Sequence, residues 1–331
     1  MGSLLLESGL EAKMNAAWTQ TTECKRSGTM WDIFHGEMLQ DFKGHDSKHF
    51  GHEEDKGCYV FLLGNDFFNP LLNKQAGKKA SVSIISLICL NLPPDLHYKL
   101  EYMCLVGIIP GLHEPLLTTL NHYLTPLIDD FLEFWNPGVW FSQTGGYNHG
   151  RLVHCAIVCL VCDLPVAHKT SGFGPSSHSH FCAVCHCICQ NHGYSSINYH
   201  AWHRRTKKEC LASAKAFDNT QTKSEQDTVF ASSSVKWSEL LCLPYFHATC
   251  FVIIDAMHNS FLGLINEHFQ DILGIWLNQD KEQSSSTINI HFTNLQWENL
   301  AEAVKRESRR IAGSRSLLAS IWQSCSLPLS K

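Results

Sequence analysis

The sequence predicts a mixed α/β fold, and three observations carry that prediction. Short apolar runs bounded by turn residues recur between residues 57 and 110. A long stretch then repeats its apolar residues at helical spacing, and a further continuous apolar run follows it. The chain has 331 residues, of which 44% are hydrophobic, enough for one large domain or two ordinary ones with a buried core. Disorder throughout is excluded on that composition. The longest apolar run, VSIISLICLNL, falls short of the ~20 residues a spanning helix needs. The opening MGSLLLESGLEAK lacks a basic flank followed by an apolar core, so a soluble, unexported protein without a signal peptide or membrane segment is expected.

Taken in order, residues 1–55 read as a polar, irregular N-terminal segment, with the charged loop KGHDSKHFGHEEDK near its end. Residues 56–170 hold the regular texture. CYVFLLGND is a first strand that ends in an acid, KKASVSIISLICLNLPP a second stopped by a double proline, and YMCLVGIIPG a third. PLLTTLNHYLTPLIDDFLEFWNPG is an amphipathic helix containing Pro126. GRLVHCAIVCLVCDLP is a fourth strand, again closed by an acid. Residues 171–250 are rich in His, Cys and basic residues, with KKECLASAKAFDNTQTKSEQDTVF reading as a polar helix and its trailing loop. Residues 251–331 open on FVIIDAMHNSFLGLINEHFQDILGIW, which suits a buried helix, and continue through a polar break to a last helix carrying KRESRR.

Two constellations bear chemistry. FCAVCHCICQNHG packs four cysteines and two histidines into residues 181–193. Cys182 and Cys185 have the bite that tetrahedral zinc prefers, and His258 in DAMHN is the candidate distant ligand. Cys187, Cys189, His192, His247 and His268 stand as alternatives for a fourth corner. Most of the remaining cysteines among the 15 sit in apolar runs and read as small buried hydrophobes. The second constellation is Asp66 and Asp163, each closing an apolar run. Carboxylates at the ends of neighbouring strands can hold two Mg²⁺ ions ~3.5–4 Å apart for in-line displacement at phosphorus. That placement requires the first and fourth strands to be adjacent.

The stretches NDFFNPLLNKQAGKKASV, LICLNLPPDLHYK, GIIPGLHEPLLTTLNHYLTPLIDDFLEFWNPGV, GRLVHCAIVCLVCDLPVAHKTSGF, WSELLCLPYF and IDAMHNSFLGLINEHF resemble the catalytic region of CACTA-type (En/Spm-like) DDE transposases, in the form abundant in mushroom-forming fungi. The resemblance spans roughly residues 30–276. It implies an RNase H-like core with a zinc-binding insertion, a nuclear protein, and DNA as its partner at transposon ends. The first two acids of the triad would be Asp66 and Asp163, with structural Zn²⁺ on Cys182, Cys185 and His258. Glu267 lies on the helix expected to deliver the third acid, with Asp271, Asp280, Glu282 and Glu298 competing for that role.

Departures from the family pattern shape the functional expectation. The segment after Trp276 is short and hydrophilic, and no DNA-binding module is recognisable before the core. The net charge of −5 argues against holding DNA by charge alone; in a competent transposase Lys74, Lys78, Lys79, Arg204, Arg205, Lys207 and Lys208 would contact phosphates, and otherwise they form an ordinary solvated face. A truncated or inactive transposase relic is the leading expectation. The alternatives are a competent DNA transposase and a zinc-binding interaction module without catalysis.

Overall fold

The computed structural model describes residues 1–19, 32–51, 55–68, 81–111, 115–189, 199–255, 257–265 and 267–268. Lys74, Lys78, Lys79, His192, the competing acids Asp271, Asp280, Glu282 and Glu298, and the KRESRR segment lie outside the described residues. The chain divides into two units, one of residues 1–18 and 43–254 and one of residues 19–42 and 255–331.

The first unit is built on a sheet whose strands are β1 (Gly57–Phe68), β2 (Val82–Cys89), β3 (Met103–Ile109), β4 (Val139–Phe141), β5 (Arg151–Cys162) and β6 (Val252–Ile254). Their order is β3-β2-β1-β5-β4, with β6 also pairing β5. β1, β2 and β3 form an antiparallel meander, running from Phe61↔Cys89 to Phe68↔Val82 across the first pair. β5 lies parallel to β1, from Gly57↔Val153 to Gly64↔Val161, with a register shift between Phe61 and Leu62. The sequence explains this arrangement. β1 and β5 are near-continuous apolar runs buried almost throughout, as central strands flanked on both sides require. β3, at the edge, is largely open and leaves Leu105 and Ile108 exposed.

The crossover to β5 carries the long helix. Besides a single turn at Ala248–Phe251, the helices described in the first unit are α1 (Gly2–Leu6), α2 (Leu10–Ala16), α3 (Leu117–Trp135), α4 (Leu164–Ser171), α5 (Lys207–Asp218) and α6 (Lys223–Ser233). α3 buries Leu117, Leu120, Leu124, Leu127, Ile128, Phe131 and Trp135 as one stripe, with Phe131 edge-on to Phe61 of β1. Leu116, expected on that stripe, is its N-cap and is exposed.

Three sequence expectations change. The N-terminal residues form two helices whose Leu5, Leu10 and Met14 are buried. They are short and hold one buried acid, so their apolar pattern is broken. The expected single polar helix near residue 207 is a pair, α5 and α6, each opened by a capping box, Thr206 with Glu209 and Thr222 with Glu225. The apolar run at residue 251 does not continue as a helix beyond Phe251, the last residue of a short helical turn at Ala248–Phe251. Its β-branched Val252, Ile253 and Ile254 form β6 against Leu160, Val161 and Cys162.

In the second unit, Asp32 caps a turn at Ile33–His35, and Met257–Ile265 forms a π-helix in which Met257, Leu264 and Ile265 are exposed rather than buried as expected.

Arg151, the first residue of β5, anchors the N-terminal helices. Its Nη1 contacts Glu11 Oε1 at 2.9 Å, and both side chains are 2% exposed. The guanidinium also donates to Asn15 Oδ1, to the Tyr59 hydroxyl and to the carbonyls of Asp55 and Lys56. Glu11 Oε2 accepts from Thr144 Oγ1 and Gly146 N. Every charge in the pair is matched by further hydrogen bonds, so removing one partner leaves the other buried and uncompensated. Glu11→Ala is expected to lower the unfolding free energy by about 3–5 kcal/mol in urea titration.

Candidate functional site

Asp66 and Asp163 reach the same edge of the sheet from adjacent parallel strands. The β1–β5 ladder closes at Gly64↔Val161, and each acid stands two residues beyond it. Asp66 is exposed and, on its other side, pairs with Ile84 of β2. Asp163 is half-buried and caps α4, its Oδ1 accepting from Val166 N at 3.0 Å. Pro165 in the first turn suits a helix start, where the missing N–H is no loss. α4 is stopped by Gly172 at φ 87°, where a Cβ would meet the Lys236 carbonyl at 2.5 Å.

Beneath the acids lies a polar group that sequence reasoning missed. Asn65, Ser83 and Thr170 are buried. Asn65 Nδ2 donates to Thr170 Oγ1 at 3.1 Å, and Ser83 Oγ donates to Asn65 Oδ1 at 2.5 Å. Ser238 Oγ donates to the Thr170 carbonyl at 2.6 Å. The available signal was polar residues inside apolar runs next to both acids: Asn65 beside Asp66, and Thr170 two helical turns after Asp163.

The cysteine loop is a second cluster. Cys185 and Cys187 are buried and Cys182 half-buried. The neighbouring Cys182 thiol is the main cause that lowers Cys185 below the ordinary thiol range, and Cys185 in turn raises Cys182 above it. Backbone bonds from His186 to the His203 carbonyl and from Arg205 to the Val184 carbonyl hold the loop against residues 203–205. Arg205 is buried and donates Nε to the Cys185 carbonyl and Nη1 to the Ser233 carbonyl. This corrects the expectation that Arg205 reaches a DNA phosphate: its guanidinium ties the cysteine loop to the end of α6. Lys207 is half-buried with its Nζ donating to the Pro244 carbonyl, and burial lowers its pKa. Arg204 and Lys208 are exposed.

His258 and Glu267 belong to the second unit. His258 Nδ1 bonds Asp255 Oδ2, and Asp255 Oδ1 accepts from Met257 N. Glu267 is exposed, as is His268. His247, in the first unit, is bonded through Nδ1 to Thr249 Oγ1. Among the described residues, no group of three or more His, Cys, Asp or Glu side chains is arranged to hold a metal ion. Among them, too, no helix is long and apolar enough to cross a membrane.

The family model of transposase family tnp2 matches residues 33–236, well over half of the chain. No curated protein matches it.

Five histidines of the first unit, His154, His168, His178, His180 and His247, are held below their ordinary value of 6.5, with burial the largest cause in each. His154 shows why. Its Nδ1–H donates to the Trp135 carbonyl, and its buried Nε2 has no partner that could accept a second proton. The unfolded chain takes up these protons as pH falls through 6.5 while the folded chain does not, so stability is full above that pH and declines below it. Urea midpoints are expected to be lower at pH 5.5 than at pH 7.5, and His154→Gln to flatten part of that loss.

Proposed function

We propose, since this chain belongs to the transposase family tnp2, that its first unit is a DNA strand-cleavage and strand-transfer core of the RNase H-like, CACTA-type DDE kind. The observation that supports it above all is the placement of Asp66 and Asp163 at matching ends of the adjacent parallel strands β1 and β5. An antiparallel β1–β2–β3 meander followed by a helix and a parallel β5 is the order the resemblance calls for.

Two carboxylates form a hard oxygen donor set, which suits Mg²⁺. When bound, such ions supply an activated nucleophile and stabilise the leaving oxygen at phosphorus. The chain's own part is to hold the two acids in place. β1 fixes Asp66 through its pair with Ile84 of β2, and α4 fixes Asp163 through the Val166 N–H. Glu267 is the proposed third acid. Cys182 and Cys185 are proposed as zinc ligands with His258, whose bond from Nδ1 to Asp255 is the partner a ligating imidazole usually has on its second nitrogen. Nuclear DNA is the proposed partner.

The hold on DNA is proposed to be weak. The net charge is −5, and two of the basic residues available for phosphates, Arg205 and Lys207, are engaged with backbone carbonyls. The full chain is therefore expected to nick supercoiled plasmid slowly and without sequence preference in Mn²⁺, with Asp66→Ala and Asp163→Ala both reducing nicking to the metal-free background. Nicking that survives both substitutions overturns the acid pair, and no nicking at all points to an inactive relic or an interaction module instead. Efficient cutting at terminal repeats contradicts the weak hold. Metal analysis of the purified chain is expected to find one zinc, lost in Cys182→Ser.

A further inference from the structure

We propose that Asn65, Ser83 and Thr170 are positioning residues that set the separation of Asp66 and Asp163. The inference rests on the reading of those two acids as metal ligands. The backbone ladder between their strands ends at Gly64↔Val161, so neither acid is itself held by a β1–β5 pair. Beyond that point the bond from Asn65 Nδ2 to Thr170 Oγ1 ties the two acid-bearing segments together. Asn65 is the residue before Asp66, and Thr170 lies on the helix that Asp163 caps.

The arrangement is directional at each joint. Asn65 spends its carbonyl oxygen on Ser83 of β2 and its amide on Thr170 of α4, so its side chain is clamped from both sides. Thr170 is held in turn by the Ser238 hydroxyl on its carbonyl. α4 therefore cannot turn or slide against β1 without breaking a buried bond, and its first residue carries the Asp163 cap with it. Simple packing would be satisfied by apolar side chains at 0–2% exposure, without the risk of unpaired polar atoms. Polar partners fix an angle and a distance as well as a volume, as groups behind metal-binding carboxylates do.

The test reads metal occupancy directly, independent of DNA chemistry. The full chain is loaded with Fe(II), and ascorbate with peroxide cuts the backbone beside the bound iron. Mg²⁺ is then titrated in to suppress the cuts. Wild-type protein is expected to be cut near residues 66 and 163, and Asp66→Asn to lose those cuts. Thr170→Val, which keeps the shape and removes the hydroxyl, is expected to raise the Mg²⁺ concentration for half-suppression by about tenfold, with Thr170→Ser restoring it. Ser83→Ala shifts it in the same direction and decides the matter if Thr170→Val does not fold. A lowered melting temperature in Thr170→Val and Ser83→Ala with unchanged half-suppression overturns the positioning role and leaves the acid pair standing. Absence of localised cuts in the wild-type chain overturns both.

Discussion

Two parallel strands cannot be joined by a tight turn, so a chain that pairs β1 with β5 has to leave the sheet and return in the same direction. The described residues between 68 and 151 carry that return: a meander of two strands, the long helix α3 and the short strand β4. The reward is geometric, because strands running the same way finish at the same edge. Asp66 and Asp163, far apart in sequence, therefore emerge together. The ladder also sets which face each side chain takes, since a slip of one residue in β5 would turn the residues leading to Asp163 over.

Arginine serves twice in this unit, and both times its forked, always-charged head joins segments distant in sequence through their backbone carbonyls. Arg151 gathers α2, the loop before β1 and the start of β5. Arg205 gathers the cysteine loop and the end of α6. Neither head faces solvent, so neither contributes to the positive surface that Arg204 and Lys208 leave exposed. Lys236 follows the same pattern, its ammonium 4.3 Å from the ring centre of Phe230 and its pKa lowered by burial.

Much of the core was legible because its central strands are buried on both faces. The runs at CYVFLLGND and GRLVHCAIVCLVC announce themselves by unbroken apolarity, and the helix between them by its spacing. The two acids were legible as endings of those runs, though β1 continues through Phe67 and Phe68 past the first of them. What was illegible depends on partners distant in sequence. Nothing near Glu11 in the sequence marks Arg151 as its partner, and nothing near Asn65 marks Thr170. The three residues of β6 are too few to show a period. The split between α5 and α6 was present in the sequence, in the repeated Thr-x-x-Glu at Thr206 and Thr222, but the uniform polarity of the stretch conceals it.

The contact between Glu11 and Arg151 spans 140 positions. During synthesis the segment bearing Glu11 leaves the ribosome long before its partner has been translated, and α2, with Leu10 and Met14 buried in the finished unit, waits for the β1 strand it packs against. Closure of the unit is thus a late, non-local event, of the kind that makes folding slow and leaves sticky surface open meanwhile. A nascent chain of this design depends on being shielded for as long as its front end waits for its middle.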